Sequence, residues 1–290
     1  MQPLSMTDFV NSSEGVTEPF LTQIYPEIAD AISPALNLAA ILYWALLGYK
    51  IYAGYSALDV RDLLAKTAMT VAVFGTLHWA GFARQIYHLF LSLMEWTATT
   101  ITVGDAPLKL LDALFRHAEQ ISQTLMNNNL YQINAIIEGT LILVINCLLF
   151  TITLVYLSIA RFGLAVTMLL LPIFVGFALF RETRPWFRNW VSNMLNFSFI
   201  YILVHAILKL TITALRQYVD DIGEAASHFD ANLISGDMVA QLVIVELVLI
   251  GFISQARGWA ASLAVSATTQ GSSAFLMLAT TTRSAAVREK

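Results

Sequence analysis

The chain has 290 residues, of which 57% are hydrophobic and only 12% charged, with a mean hydropathy of +0.67, whereas soluble domains carry charge on about a quarter of their residues. That balance excludes an ordinary soluble domain and points to a single membrane domain. A net charge of −4 and a pI near 5.7 supply no basic footprint for a nucleic-acid backbone. Tight direct nucleic-acid binding is therefore not expected.

Residues 1–30 carry Asp8, Glu14, Glu18, Glu27 and Asp30 with no Lys or Arg. A cleavable signal needs a basic region ahead of its apolar core, so this stretch is expected to be a retained, acidic segment outside the membrane. A spanning helix needs about 20 apolar residues. The first charge-free run long enough is Ala31–Tyr49, closed by Lys50. The second is Thr67–Ala83, with the apolar Ile86–Met94 stretch beyond Arg84.

Between the second and third spans, residues 85–138 hold Glu95, Asp105, Asp112, Glu119 and Glu138 against Lys109 and Arg116. Within them, residues 107–126 repeat Leu108, Leu111, Phe115, Ala118, Ile121 and Leu125 at helical spacing, an amphipathic pattern. This helix could lie on the outer membrane face, dock on a partner, or pack on its own membrane domain. Asn127, Asn128 and Asn129 then break it.

Gly139–Ala160 and Phe162–Phe180 form one long apolar block interrupted only by Arg161. The spacing predicts a single crossing broken at Pro172; two crossings hinged at Arg161 are the alternative. Asn189–Leu208 and Met238–Ala256 are the last two spans, and the Ser-, Thr- and Gly-rich residues 257–290 read as a cytoplasmic tail. The membrane domain is thus placed at residues 31–256.

Basic residues stay on the cytoplasmic side. Lys50, Arg61 and Lys66, then Arg181, Arg184 and Arg188, then Arg257, Arg283, Arg288 and Lys290 mark inside ends. The acidic N-terminal segment, residues 85–138, and the segment carrying Asp220, Asp221, Glu224, Asp230 and Asp237 mark outside ends. The expected fold is therefore all-α and polytopic, with five crossings, an outside N-terminus, an inside C-terminus and an outside amphipathic helix.

No phosphate-cradling loop, dinucleotide fingerprint, zinc-protease helix or nucleophile elbow occurs in the chain. Its five histidines are scattered without Cys or carboxylate partners at ligand spacing, and its lone Cys147 reads as a buried small hydrophobe. No cofactor, no metal and no enzymatic activity are expected. Glu246 and Lys209 stand at membrane depth, where a charge costs about 2.5–3.5 kcal/mol unless paired or wetted. His205 lies one turn before Lys209. A Glu246 pair with Lys209 or His205 would serve helix register more readily than ion movement, and an ion-coupled secondary transporter built on Glu246 is the competing function. An intramembrane hydrolase would need a nucleophile and base from distant helices, for which no residue speaks. Asn146, Asn193 and Asn196 read as interhelical hydrogen-bond formers.

The densest basic and aromatic cluster is Arg181, Arg184, Trp186, Phe187, Arg188 and Trp190. The passage from Leu169 to Trp190, LLLPIFVGFALFRETRPWFRNW, resembles the signature region of the TrbL/VirB-type polytopic inner-membrane subunits of bacterial type IV secretion systems. In that family a Pro-containing apolar helix runs to a Phe, a short Thr-Arg turn follows, and an aromatic and a Trp open the next helix. Pro172, Phe180, Thr183, Arg184, Phe187 and Trp190 stand at those places, with Pro185 and Trp186 added to the turn.

The resemblance covers about twenty residues strongly, and the surrounding layout agrees with it. It implies a non-enzymatic scaffold in the bacterial inner membrane that oligomerises as a ring at the base of a stalk. Minor pilin and stalk subunits, bitopic inner-membrane scaffold subunits, membrane lipid and, indirectly, separate secretion ATPases would be its partners. Conjugative DNA transfer or protein export and pilus biogenesis would be its task. The family's large central periplasmic loop is short here, so the resemblance leaves open whether residues 85–138 carry its substrate-path role, and it implies no more than transient contact with the transported substrate.

Overall fold

In a computed structural model, the described residues are 6–55, 59–101, 107–128, 133–214 and 236–288. The chain is 93% helical and without strands among these residues. The helices are α1 (Met6–Tyr52), α2 (Val60–Gly75), α3 (Arg84–Ile101), α4 (Pro107–Asn128), α5 (Ile133–Leu169), the short α6 (Leu171–Gly176), α7 (Arg184–Ala214) and α8 (Gly236–Arg288). Among the described residues, four stretches are long and apolar enough to cross a membrane: Gly15–Tyr52, Ala135–Leu169, Arg184–Thr211 and Val239–Thr268. The expected acidic segment with Asp220, Asp221, Glu224 and Asp230 lies outside the described residues.

Several helices are longer than the sequence pattern indicates. Helix α1 passes through the boundary at residue 30 without a break, although Pro19, Pro26 and Pro34 lie inside it, and α8 likewise passes residue 256. At 1.5 Å per residue, α1 and α8 reach roughly 70 and 80 Å, against a hydrocarbon core of about 30 Å. Both must extend well beyond the bilayer.

The continuous helix expected over Thr67–Ala83 needs correction. Helix α2 stops at Gly75, and a kinked π-helical turn over Trp79–Ala83 precedes α3. Gly81 leaves helical geometry there (φ −88°, ψ −136°), and a Cβ on it would stand 2.6 Å from the Gly75 carbonyl oxygen. Only a residue without a side chain allows that approach.

The α2–α3 path nevertheless keeps one direction along α1. Tyr25 donates to the Thr76 carbonyl, Tyr87 donates to Thr17 Oγ1 at 3.1 Å, and Arg84 reaches Glu18 at 2.8 Å. Moving forward along α2 and α3 therefore means moving backward along α1. The expected second span is thus a broken path antiparallel to α1, and neither α2 nor α3 is among the four stretches long and apolar enough to cross a membrane. The buried Trp79 ring fills the break, packed between Tyr25 and Tyr87 with centroids 5.3 and 5.9 Å away.

The apolar block resolves differently from a hairpin at Arg161. Helix α5 runs unbroken through Arg161 to Leu169, and α6 restarts with Pro172 in its first turn. Proline lacks the N–H that would continue the ladder, so the break falls at the expected place. Along α5, Ile142, Leu149, Leu157, Leu164 and Met168 are buried, while Ile137, Leu141, Val144, Leu148 and Val155 are exposed. A helix apolar on both faces suits one side packed on protein and the other on lipid. Cys147, expected to be buried, lies on the exposed side, because an apolar environment no longer implies a protein interior once lipid is the solvent.

The helices contribute to two compact units. One comprises residues 1–15, 93–161 and 198–260. In it α4 packs on α5: Leu108, Leu111, Leu114, Ala118, Ile121 and Leu125 are buried. Ser122 Oγ donates to the Gly139 carbonyl at 2.8 Å, Asn146 Nδ2 donates to the Phe115 carbonyl at 3.1 Å, and the Phe115 and Phe150 rings meet at 4.9 Å. Of the three arrangements open to the amphipathic helix, packing on its own membrane domain is the one observed. The second unit comprises residues 16–92, 162–197 and 261–290 and holds the α1–α2–α3 arrangement just described.

Candidate functional site

Two polar features stand out, one in each unit. In the first unit, the sequence-selected residues do not assemble as expected. Glu246 on α8 is fully buried, and neither carboxylate oxygen has a hydrogen-bond partner. No ion pair joins it to Lys209 or His205 among the described residues. His205 is buried on α7, with Nδ1 2.9 Å from the Tyr201 carbonyl of its own helix and its ring 4.3 Å from the Tyr201 ring.

A charge with partners on two other helices is Arg161, which the sequence showed only as an interruption. Arg161 is 5% exposed; its Nη2 donates to Tyr201 Oη at 3.2 Å and lies 3.7 Å from Glu95 Oε1. Its guanidinium also sits 5.1 Å from the Tyr201 ring centroid, within cation–π range. A lone Arg in forty apolar residues was the available signal, since an unpaired cation at such a place is costly. Its partners come from α3 and α7, which no local spacing could identify.

The second unit contains the signature passage, and the structure divides its residues by task. Pro172 is buried at the start of α6. Thr183 Oγ1 donates to the Phe177 carbonyl at 2.8 Å and closes the turn that follows. Trp190 is 3% exposed and donates from Nε1 to the Thr167 carbonyl at 2.8 Å, which ties the start of α7 to the end of α5. These three build the turn. The added Trp186 packs edge-on against Phe177 with centroids 4.9 Å apart.

Phe180, Arg184 and Phe187 face a large cleft instead. The cleft has a volume of about 1200 Å³ and is walled by the end of α1, the first half of α2 and the α6–α7 turn. Tyr43 on α1 meets Phe180 edge-on at 5.8 Å, holding two of the walls together. Five basic side chains line it: Lys50, Lys66, Arg181, Arg184 and Arg188. Only two acids do, Asp62 and Glu182, and Asp62 is already paired with Lys66 one turn along α2. Two basic groups separated by more than a hundred residues in sequence thus converge on one concave surface. That convergence follows from the packing of the α6–α7 turn on α1, where Phe180 meets Tyr43.

The cleft contains no arrangement suited to covalent chemistry, and no cluster of three metal-ligating side chains occurs among the described residues. It offers a concentrated positive potential beside apolar walls, which selects anions and anionic surfaces. A comparison with curated proteins gives no match. A family profile does match: residues 40–256 fit the TrbL/VirB6 plasmid conjugal transfer protein family. That match spans most of the chain, including the broken α2–α3 path, the signature turn and all five basic residues of the cleft. With its helices long and apolar enough to cross a bilayer, the chain belongs to the TrbL/VirB6 plasmid conjugal transfer family and is a membrane subunit of conjugal transfer machinery.

Proposed function

We propose that the protein is a non-enzymatic platform subunit of a type IV secretion apparatus in the bacterial inner membrane, oligomerising at the base of the stalk. The family match over residues 40–256 carries this reading. Helices that greatly exceed the bilayer thickness support it, because α1 and α8 then have length outside the membrane with which to meet other subunits. The proposed orientation has five crossings, four by the long apolar helices and one by the broken α2–α3 path, with the acidic N-terminus outside and the basic cleft inside. In this arrangement α4 and its neighbours face the stalk and minor pilin, the bitopic scaffold subunits pack alongside, and separate ATPases supply the energy.

The test is genetic complementation in a conjugating host. Deleting the gene should abolish transfer and pilus assembly, and the intact chain should restore both. Transfer at the wild-type rate in the deletion strain would overturn the proposal. The ion-coupled transporter reading gains no support from geometry, since Glu246 meets no cation among the described residues.

A further inference from the structure

We infer that the basic cleft is a binding site for an anionic phospholipid carrying two phosphates, whose headgroup occupies the cleft while its acyl chains lie along α1. The inference goes beyond the transfer role, since it concerns what the purified chain itself binds.

The first observation is the alignment of α1. Leu38, Leu42 and Leu46 recur every four residues and are 69%, 52% and 47% exposed. Residues four apart stack on one helix face, so Lys50 continues this apolar stripe with an ammonium group. Leu46 and Lys50 both line the cleft. An apolar track that leads directly to a cation matches an acyl chain leading to its phosphate.

The second observation is charge. Lys50, Arg181, Arg184 and Arg188 form no ion pair among the described residues, and Glu182 is the sole lining acid left after the Asp62–Lys66 pair. Four cations against one acid leave a surplus of three positive charges, of which one phosphodiester would leave two uncompensated and two phosphodiesters only one. Arginine forks bind phosphate oxygens in pairs, and basic pockets between membrane helices are suited to such headgroups. The volume, about 1200 Å³, exceeds the roughly 300–1,000 Å³ of small-molecule pockets and is ample for a double headgroup. A free nucleotide lacks the acyl chains for which the Leu38–Leu46 stripe is suited. An acidic protein segment would satisfy the cations and leave the stripe unexplained.

Native mass spectrometry of the full chain released from detergent tests this, with added diphosphatidylglycerol, phosphatidylglycerol or phosphatidylethanolamine. Diphosphatidylglycerol should remain bound with an affinity about tenfold or more above the other two. The R181Q/R184Q/R188Q variant should lose that preference, while K109Q/R116Q/R257Q, with the same charge removed elsewhere, should keep it. Unchanged elution volume and melting temperature would confirm that both variants fold. Equal retention of all three lipids, or equal loss in both variants, would overturn the site. Pyrophosphate or an acidic peptide competing as effectively as the lipid would equally overturn it, because the acyl stripe would then contribute nothing.

Discussion

The Trp190 indole donates a 2.8 Å hydrogen bond to the Thr167 carbonyl, so the tryptophan that opens one membrane helix closes the end of another. Thr167 lies in the last turn of α5, just ahead of the break at Pro172. Carbonyls at a helix end lack partners in the ladder, and in an apolar setting each unsatisfied group is costly. The Thr167 carbonyl accepts the Leu170 N–H at 3.2 Å as the last turn tightens, and Trp190 adds a second donor to it while filling the interior behind the signature turn. Trp190→Phe should lower stability by about 1 kcal/mol through the lost hydrogen bond, and Trp190→Ala by about 3–5 kcal/mol through the cavity. Thermal unfolding in detergent checks the order; equal melting temperatures for the three proteins would contradict it.

Arg184 is exposed at the cleft and is assigned a different task from Trp190. Arg184→Gln should leave the melting temperature within a degree or two, since exposed substitutions usually cost under about 0.5 kcal/mol. Transfer efficiency in a mating assay should fall nonetheless. Parallel loss of stability and transfer would instead make Arg184 part of the turn's framework.

Helices α4 and α5 approach closely at Gly139, where an added Cβ would lie 3.0 Å from the Ser122 carbonyl and 3.1 Å from Met126 Cγ. Backbone cannot yield as a side-chain tip can. Gly139→Val should therefore separate the pair and expose α4 to limited proteolysis, while Ser122→Ala should cost about 1 kcal/mol from its bond to the Gly139 carbonyl. Unaltered cleavage kinetics in G139V would show that the two helices are held elsewhere.

His117 on α4 has its proton affinity lowered below the ordinary value near 6.5, first by burial and second by the Arg116 charge beside it. A histidine that is harder to protonate when folded takes up protons preferentially on unfolding. Stability is then full above pH 6.5 and declines as pH falls below it. Melting temperatures at pH 7.5 and 5.5 should differ more for the wild type than for His117→Gln, and an identical pH response would remove this residue from the account.

Much of this architecture was legible in the sequence, for stated reasons. Apolar runs locate the α5, α7 and α8 spans because lipid imposes a length and a polarity that the chain must meet. Pro172 marks its own break. The α4 stripe from Leu108 to Leu125 is visible because helical spacing survives without tertiary information. What the sequence could not show is how distant segments meet. The kink at Gly75–Gly81 depends on close backbone approach, and a Gly in an apolar run carries no such label. Arg161 appeared as an interruption since its partners Glu95 and Tyr201 lie on other helices. Lys50 and Arg184 looked like two separate inside loops, and the packing of the α6–α7 turn against the end of α1 makes them one surface. Glu246 drew attention for its cost in a membrane, yet the expected cation partner does not reach it.

Glu246 also separates the two functional readings. Its oxygens are buried without partners, so replacing it with an apolar residue removes groups that make no hydrogen bond. Glu246→Leu should preserve or slightly raise stability and leave transfer intact. Abolished transfer with an unchanged melting temperature would give the carboxyl an active role.

The central claim is membership in a multi-subunit secretion platform, and gentle-detergent affinity purification of the tagged chain from a conjugating host tests it most directly. Mass spectrometry should identify pilin-like, bitopic scaffold and ATPase subunits, and mass measurement should give a core with several copies of this chain. A lone monomer or dimer without any secretion subunit would contradict the account.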